Sequence, residues 1–222
     1  MIVYTSITGG KDNPVEQKVK GNFVLFTDKD IKSKTWEVKK AYDRFNSPRR
    51  NSRFPKMCPH QFLDTRYSLW IDGNIELLKP MEELVEEYLQ DHDIAMFRHP
   101  NRDCLYDEAL VCAKTGLDNP EVIIAQVKKY EEEGFGRNRG LCEGSFILRR
   151  HTAQVEAFNN YWWSEYCRHS ARDQISMFYA LDKAGLIPRV IEAQYDENLV
   201  RGGIIKFNNH LTPRNDENSN VI

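Results

Sequence analysis

Residues 67–78, Y-S-L-W-I-D-G-N-I-E-L-L, constrain the fold of this chain more than any other stretch. Tyr67, Leu69, Trp70 and Ile71 make a short apolar run that stops at Asp72. A run this short, bounded by polar residues, suits a buried strand. Gly73 then lets the backbone turn or bulge at low steric cost. Asp72 and Asn74 are thereby expected at the strand's C-terminal lip, where ligands bind in open α/β sheets. A carboxylate and an amide carbonyl two residues apart suit one hard divalent cation, which takes its other ligands from water and substrate phosphates. D-G-N is also ordinary turn chemistry between strands, so both readings stand at this point.

The length of 222 residues allows one large domain or two small ones. A net charge of −2 leaves no basic field for nucleic acid or an anionic membrane. No stretch approaches the roughly 20 consecutive apolar residues of a membrane span. Met1 leads straight into Ile2-Val3-Tyr4, without the basic start and apolar core of a secretory signal. Cysteines 58, 104, 112, 142 and 167 form no C-x-x-C and leave an odd thiol, which favours free thiols in a reducing compartment. The expected location is cytoplasmic.

Residues 2–7 read as a first strand, followed by the loop T-G-G-K. N-F-V-L-F-T-D over 22–28 reads as a second buried strand ending in Asp28, and 35–45 as mixed helix and loop. Residues 47–56 are basic; Arg49 and Arg50 read as solvated, whereas Arg53 and Lys56 are candidates for diphosphate contact near a short proline-capped helix. Pro80 can open a helix at its first turn, and Leu84, Val85, Tyr88 and Leu89 recur at helical spacing. After a strand over 93–97, R-H-P-N-R-D-C-L-Y-D-E-A reads as an active-site loop or a salt-bridge cluster. Helices are expected over 120–133, 152–166 and 170–185, with a strand over 141–149 interrupted at Glu143-Gly144 and a last strand over 187–193. From Thr212 the polar composition predicts disorder. Strands alternating with helices, with no repeat or linker, predict one α/β layered domain over 1–211 with a largely parallel sheet, and a tail over 212–222.

In this order and spacing the segments V-Y-T-S-I-T-G-G, F-V-L-F-T-D, P-K-M-C-P-H-Q-F-L, Y-S-L-W-I-D-G-N-I, A-M-F-R-H-P-N-R-D-C-L-Y-D-E-A, E-G-S-F-I-L-R-R and R-D-Q-I-S-M-F-Y-A-L resemble GT-A nucleotide-sugar glycosyltransferases. They look like the plant and bacterial GT-A-like family related to family 8 transferases. They are also similar to the compact capsid glycosyltransferases of large algal viruses, which would place the chain in an infected host cell.

The resemblance implies a GT-A, Rossmann-like three-layer sandwich and transfer of a sugar from a nucleotide diphosphate, UDP first among them, to a glycan or glycoprotein. Asp72-Gly73-Asn74 takes the place of the family's D-x-D metal motif, which implies Mn²⁺ or Mg²⁺, with Asn74 ligating through its carbonyl oxygen. Thr5, Ser6, Ile7 and Asp28 match positions that hold base and ribose, and Arg53 matches a basic residue beside the phosphates. His210 resembles a late histidine that serves as a further metal ligand, although a lone histidine in a polar tail is also plainly solvated.

The chemistry agrees. A departing nucleotide diphosphate gathers negative charge that a divalent ion and basic side chains stabilise. An acceptor hydroxyl needs a general base if the reaction inverts, and Asp173 and Glu143 are the candidates. S-A-R-D over 170–173 also reads as a capping box, with Ser170 at the cap; Glu143 has no such structural excuse and reads as a sugar- or acceptor-binding residue. Two alternatives remain. Asp28 and Asp30 after F-V-L-F suggest a phosphohydrolase of the haloacid dehalogenase type, from which Ile31-Lys32 departs. The third reading is a non-catalytic module that binds sugar nucleotides or glycans.

Overall fold

The computed structural model describes residues 1–10 and 12–209. From the N-terminus, β1 (Ile2–Ile7), β2 (Phe23–Thr27) and β3 (Trp36–Lys40) precede α1 (Pro48–Met57), β4 (Tyr67–Ile71) and β5 (Ile75–Leu77). Then come α2 (Met81–Tyr88), β6 (Ile94–Arg98), α3 (Leu105–Lys114), α4 (Pro120–Glu132) and β7 (Cys142–Arg150). The chain continues through α5 (Ala153–Arg168), α6 (Asp173–Lys183), β8 (Arg189–Ile191), β9 (Val200–Arg201) and β10 (Ile205–Phe207).

Among the described residues, seven strands form one sheet in the order β3-β2-β1-β4-β7-β6-β8. Only β7 runs antiparallel to its neighbours there, so the sheet is mostly parallel, as the strand–helix alternation predicts. Its central strands are buried on both faces because each residue type alternates between two cores. Tyr4, Trp70, Met96 and Ile147 pack under α1 and α3–α6, while Val3, Leu69, Phe97 and Leu148 face α2 and β5. The antiparallel course of β7 brings its first residues to the C-terminal ends of β4 and β6, as the Ile71–Phe146 and Arg98–Cys142 pairs show. That lip carries the site.

The fold departs from the sequence reading in four places. Residues 36–40 form an edge strand whose last four residues are exposed and largely charged, which suits an unpaired edge. The basic segment is not a loop: α1 starts at Pro48, capped by the Ser47 hydroxyl accepting from Arg50 N–H, and carries Arg53 and Lys56 on one helix. Glu143-Gly144 does not interrupt β7; the irregularity lies opposite, between Met96 and Arg98 of β6. Beyond β8 the chain adds β9 and β10, joined through the left-handed Gly202 and Gly203, into a second sheet β5-β10-β9. Strands of two and three residues carry no readable periodicity. His210 and the 212–222 tail lie outside the described residues.

Candidate functional site

Parallel pairing of β1 with β2 and β4 puts Thr5, Ser6 and Ile7 at the same lip as Asp28 and Asp72. The hydroxyls of Thr5 and Ser6 are buried and have no hydrogen-bond partner. An unpaired buried hydroxyl is costly; these two lie on opposite faces of β1, Thr5 on the Val3 and Ile7 side beside Gly73 and Ser6 on the Tyr4 side, and each is a place where a ligand would supply a partner. Asp28 follows β2 on an exposed loop, where its Oδ2 accepts from Gly9 N–H at 2.8 Å. Asp30 is exposed on the same loop.

D-G-N forms a turn, with Ile75 N–H donating to the Asp72 carbonyl at 3.0 Å. Gly73 is needed for space rather than for backbone freedom. A Cβ there would collide with the Ile7 side chain. Three strangers hold the turn: Ser145 O accepts from Asp72 N–H at 3.0 Å, Gly73 O accepts from Val15 N–H at 3.0 Å, and Asn74 O accepts from Asn208 N–H at 2.9 Å. Asp72 Oδ1 accepts from the Trp70 indole N–H at 3.0 Å.

Whether these residues fit a divalent ion turns on their free oxygens. The Asn74 amide N–H₂ donates to the Asn208 carbonyl at 2.9 Å, and because a carbonyl only accepts, the Asn74 amide oxygen must be the other branch. Asp72 keeps Oδ2. One carboxylate and one amide oxygen are hard donors of the right kind. Among the described residues no three His, Cys, Asp or Glu side chains cluster to hold an ion, so the remaining ligands would come from phosphate and water. His210 follows Asn208 by two residues.

The cationic side is built by α1 and the start of α6. Lys56, 2% exposed, donates its ammonium to Asp173 Oδ2 at 2.6 Å, and Arg53 Nε stands 3.4 Å from the same oxygen. Burial pushes the Asp173 carboxyl up, but Lys56 and Arg53 outweigh it and hold it well below the usual carboxylate range. Burial and the neighbouring Arg53 lower the Lys56 ammonium. Both cations also feel the charge of Asp72. Lys56 lies against Gly144, where a Cβ would come within 2.8 Å of its Nζ, which explains that glycine. Asp173 is the first residue of α6 and takes no part in a capping box. The Ser170 hydroxyl instead donates to Gln126 at 2.7 Å.

Glu143 is engaged differently. Its carboxylate accepts from the Arg201 guanidinium and from the Tyr195 hydroxyl at 2.9 Å. Burial raises its proton affinity, against the opposing charge of Arg201. Arg201, 1% exposed, lies between the Phe97 and Tyr195 rings and also donates to the carbonyls of Ala193 and Arg98. Neither Tyr195 nor Arg201 stood out in the sequence, because their partners are more than 50 residues away. The charged groups after β6 mostly satisfy one another: Arg98 pairs with Glu192 and Arg102 with Glu108, with His99 beside them.

Residues 13–206 match the family model described as TOD1/MUCI70, glycosyltransferase-like domain. "Probable hexosyltransferase MUCI70" of Arabidopsis thaliana is 33% identical over 150 residues, 63% of this chain and 26% of the relative. "Alkaline ceramidase TOD1" of the same plant is 21% identical over 187 residues, 79% of this chain and 40% of the relative. The chain thus spans well under half the length of these curated relatives. Among solved structures, the galactosyltransferase LgtC in complex with donor and acceptor sugar analogs aligns at TM-score 0.45 and 8% identity, over 87% of this chain and 73% of that one. The bifunctional glycosyltransferase WbbM aligns at TM-score 0.47 and 11% identity, over 86% and 38%.

Proposed function

The chain belongs to the TOD1/MUCI70 glycosyltransferase-like family, and from that premise we propose that it is a metal-dependent transferase moving a hexosyl group from a UDP-sugar to a glycan or glycoprotein acceptor. The observation that carries the reading is the meeting, at one sheet lip, of the Asp72–Asn74 turn, the unpaired Thr5 and Ser6 hydroxyls and the Arg53–Lys56 cations.

In this reading the base and ribose lie along Thr5, Ser6, Ile7 and Asp28. Asp28 has one carboxylate oxygen on Gly9 and one left to accept the uracil N3–H. Asp72 and Asn74 would hold Mn²⁺ or Mg²⁺, with His210, outside the described residues, as the further ligand the resemblance implies; such an ion would supply positive charge to the diphosphate leaving group. Arg53 supplies positive charge on the same side. Asp173, kept ionised by Lys56 and Arg53, is a weak base; it suits holding Arg53 in place and accepting hydrogen bonds from sugar hydroxyls. Glu143 is the better suited of the two to take up the acceptor's proton, since burial raises its affinity for one.

The test is UDP titration by calorimetry across a manganese series, for wild type, Asp72→Ala and Asn74→Asp. Asp72→Ala is expected to abolish the metal-dependent part of UDP binding with the fold intact, and Asn74→Asp to keep or tighten it. Equal UDP affinity of wild type in manganese and in excess chelator, with Asp72→Ala unchanged, would leave D-G-N as a turn only. A panel of UDP-sugars in a thermal-shift screen names the donor, because a ligand bound to the folded state alone raises its apparent stability. A fluorescent ceramide in the same assays tests the activity named for the second relative.

A further inference from the structure

Trp70 connects groups that the reading above treats separately. Its indole N–H is a donor with no acceptor function, and its partner is Asp72 Oδ1 at 3.0 Å. Its ring carries the Lys56 ammonium at 5.6 Å from the centroid, with the Trp162 ring 5.9 Å from the same ammonium. Trp162 in turn donates its indole N–H to the Asp173 carbonyl at 2.8 Å.

The ring is also held from below. Tyr4 meets it edge-on at 5.4 Å, and the Tyr4 hydroxyl accepts from Arg149 at 3.0 Å. Arg149, fully buried, donates to the Lys56 carbonyl at 3.1 Å and so fixes the end of α1 from which the Lys56 side chain leaves. Trp70 is 1% exposed, so no ligand needs to touch it. Its effect passes through Asp72.

We propose that Trp70 is a positioning residue for donor binding: its indole N–H holds Asp72 in the orientation that leaves Oδ2 for the divalent ion, and its ring ties that orientation to the Lys56–Asp173 pair. The inference rests on the metal-dependent reading of the site. A carboxylate ligand is free to rotate unless an outer partner fixes it, and loss of such a partner typically costs 10–100-fold in metal affinity.

Trp70→Phe keeps an aromatic face for Lys56 and removes the N–H together with one ring of the buried indole. UDP is titrated by calorimetry into wild type and variant, once with Mn²⁺ and once with chelator. The variant is expected to lose roughly tenfold or more of the manganese-dependent gain in UDP affinity while matching wild type in chelator. In ¹⁵N-indole spectra, Mg²⁺ with UDP should shift the resonance that Trp70→Phe deletes. A tryptophan that serves packing alone would lower the melting temperature and leave the ratio of the two affinities unchanged. A variant with the full wild-type gain overturns the proposal and leaves the function intact. A wild type whose UDP affinity ignores metal overturns both. Should Trp70→Phe fail to fold, benzothienylalanine placed at position 70 keeps the bicyclic shape without the N–H, and the same outcomes decide.

Discussion

Asp72 and Glu143 are carboxylates at one lip, yet their surroundings differ sharply. Asp72 has a single side-chain donor, Trp70, and shares its lip with the Thr5 and Ser6 hydroxyls, which have no partner. Glu143 accepts from Arg201 and Tyr195, chiefly through one carboxylate oxygen, with Ser145 nearby. Charge alone does not tell these regions apart, since each has arginine close by. Unused hydrogen-bonding capacity does. The first region has polar atoms left for a ligand; in the second, Arg201 and Tyr195 already fix the carboxylate that would meet an acceptor.

The largest test of that contrast is Lys56→Met. Lys56 is buried and its removal leaves Asp173 buried and short of its closest counter-charge, which typically costs about 3–5 kcal/mol. Chemical denaturation should show that loss, and a loss under about 1 kcal/mol would mean Arg53 alone suffices to hold Asp173.

Acid comes next. The His99 Nδ1 accepts from the backbone N–H groups of Asn101 and Arg102 at 3.3 and 3.1 Å, so it must be unprotonated. Burial lowers its pKa from 6.5 to about 4, and burial does the same to His151. Between those values the unfolded chain binds more protons than the folded one, so stability is full above pH 6.5 and is lost as the pH falls toward 4. A melting temperature lower by roughly 5 °C at pH 4.5 than at pH 7 is expected. His99→Asn, whose amide oxygen can accept the same two N–H groups, should show a smaller drop. An equal drop would move the cause elsewhere.

The finest test pairs one variant from each region. Thr5→Val removes an unpaired hydroxyl and replaces it with a methyl group of the same shape. Stability should be unchanged or slightly higher, while UDP affinity falls about fivefold to tenfold, the value of one hydrogen bond. Tyr195→Phe should do the reverse, losing about 1 kcal/mol of stability with UDP affinity kept. Matching profiles for the two variants would erase the distinction.

Most of the framework was legible from local pattern. The β4 run ends abruptly at Asp72, and its burial and its place at the lip both follow from that one boundary. β2 reads as clearly, an apolar run ending in Thr27 before Asp28, and β1 as β-branched residues alternating with polar ones. What could not be read was whatever depends on distant partners. S-A-R-D fits a capping box on local grounds, but Asp173 is claimed by Lys56, 117 residues earlier. Arg201 lies in a two-residue strand whose importance comes from Glu143, 58 positions away. Trp70 was visible as an apolar strand residue; only its spacing of two from Asp72, which puts both side chains on one side of an extended chain, hinted at the hydrogen bond between them.

The bond between Asn74 and Asn208 has a practical consequence for where this domain can be cut. The stretch that matches the family ends at residue 206, and a boundary drawn there looks natural. It would remove Asn208 and with it the carbonyl that orients the Asn74 amide and the N–H that closes on the Asn74 backbone. The last described residues therefore hold the Asp72–Asn74 turn in place, and expression boundaries, tags and fusions belong beyond them.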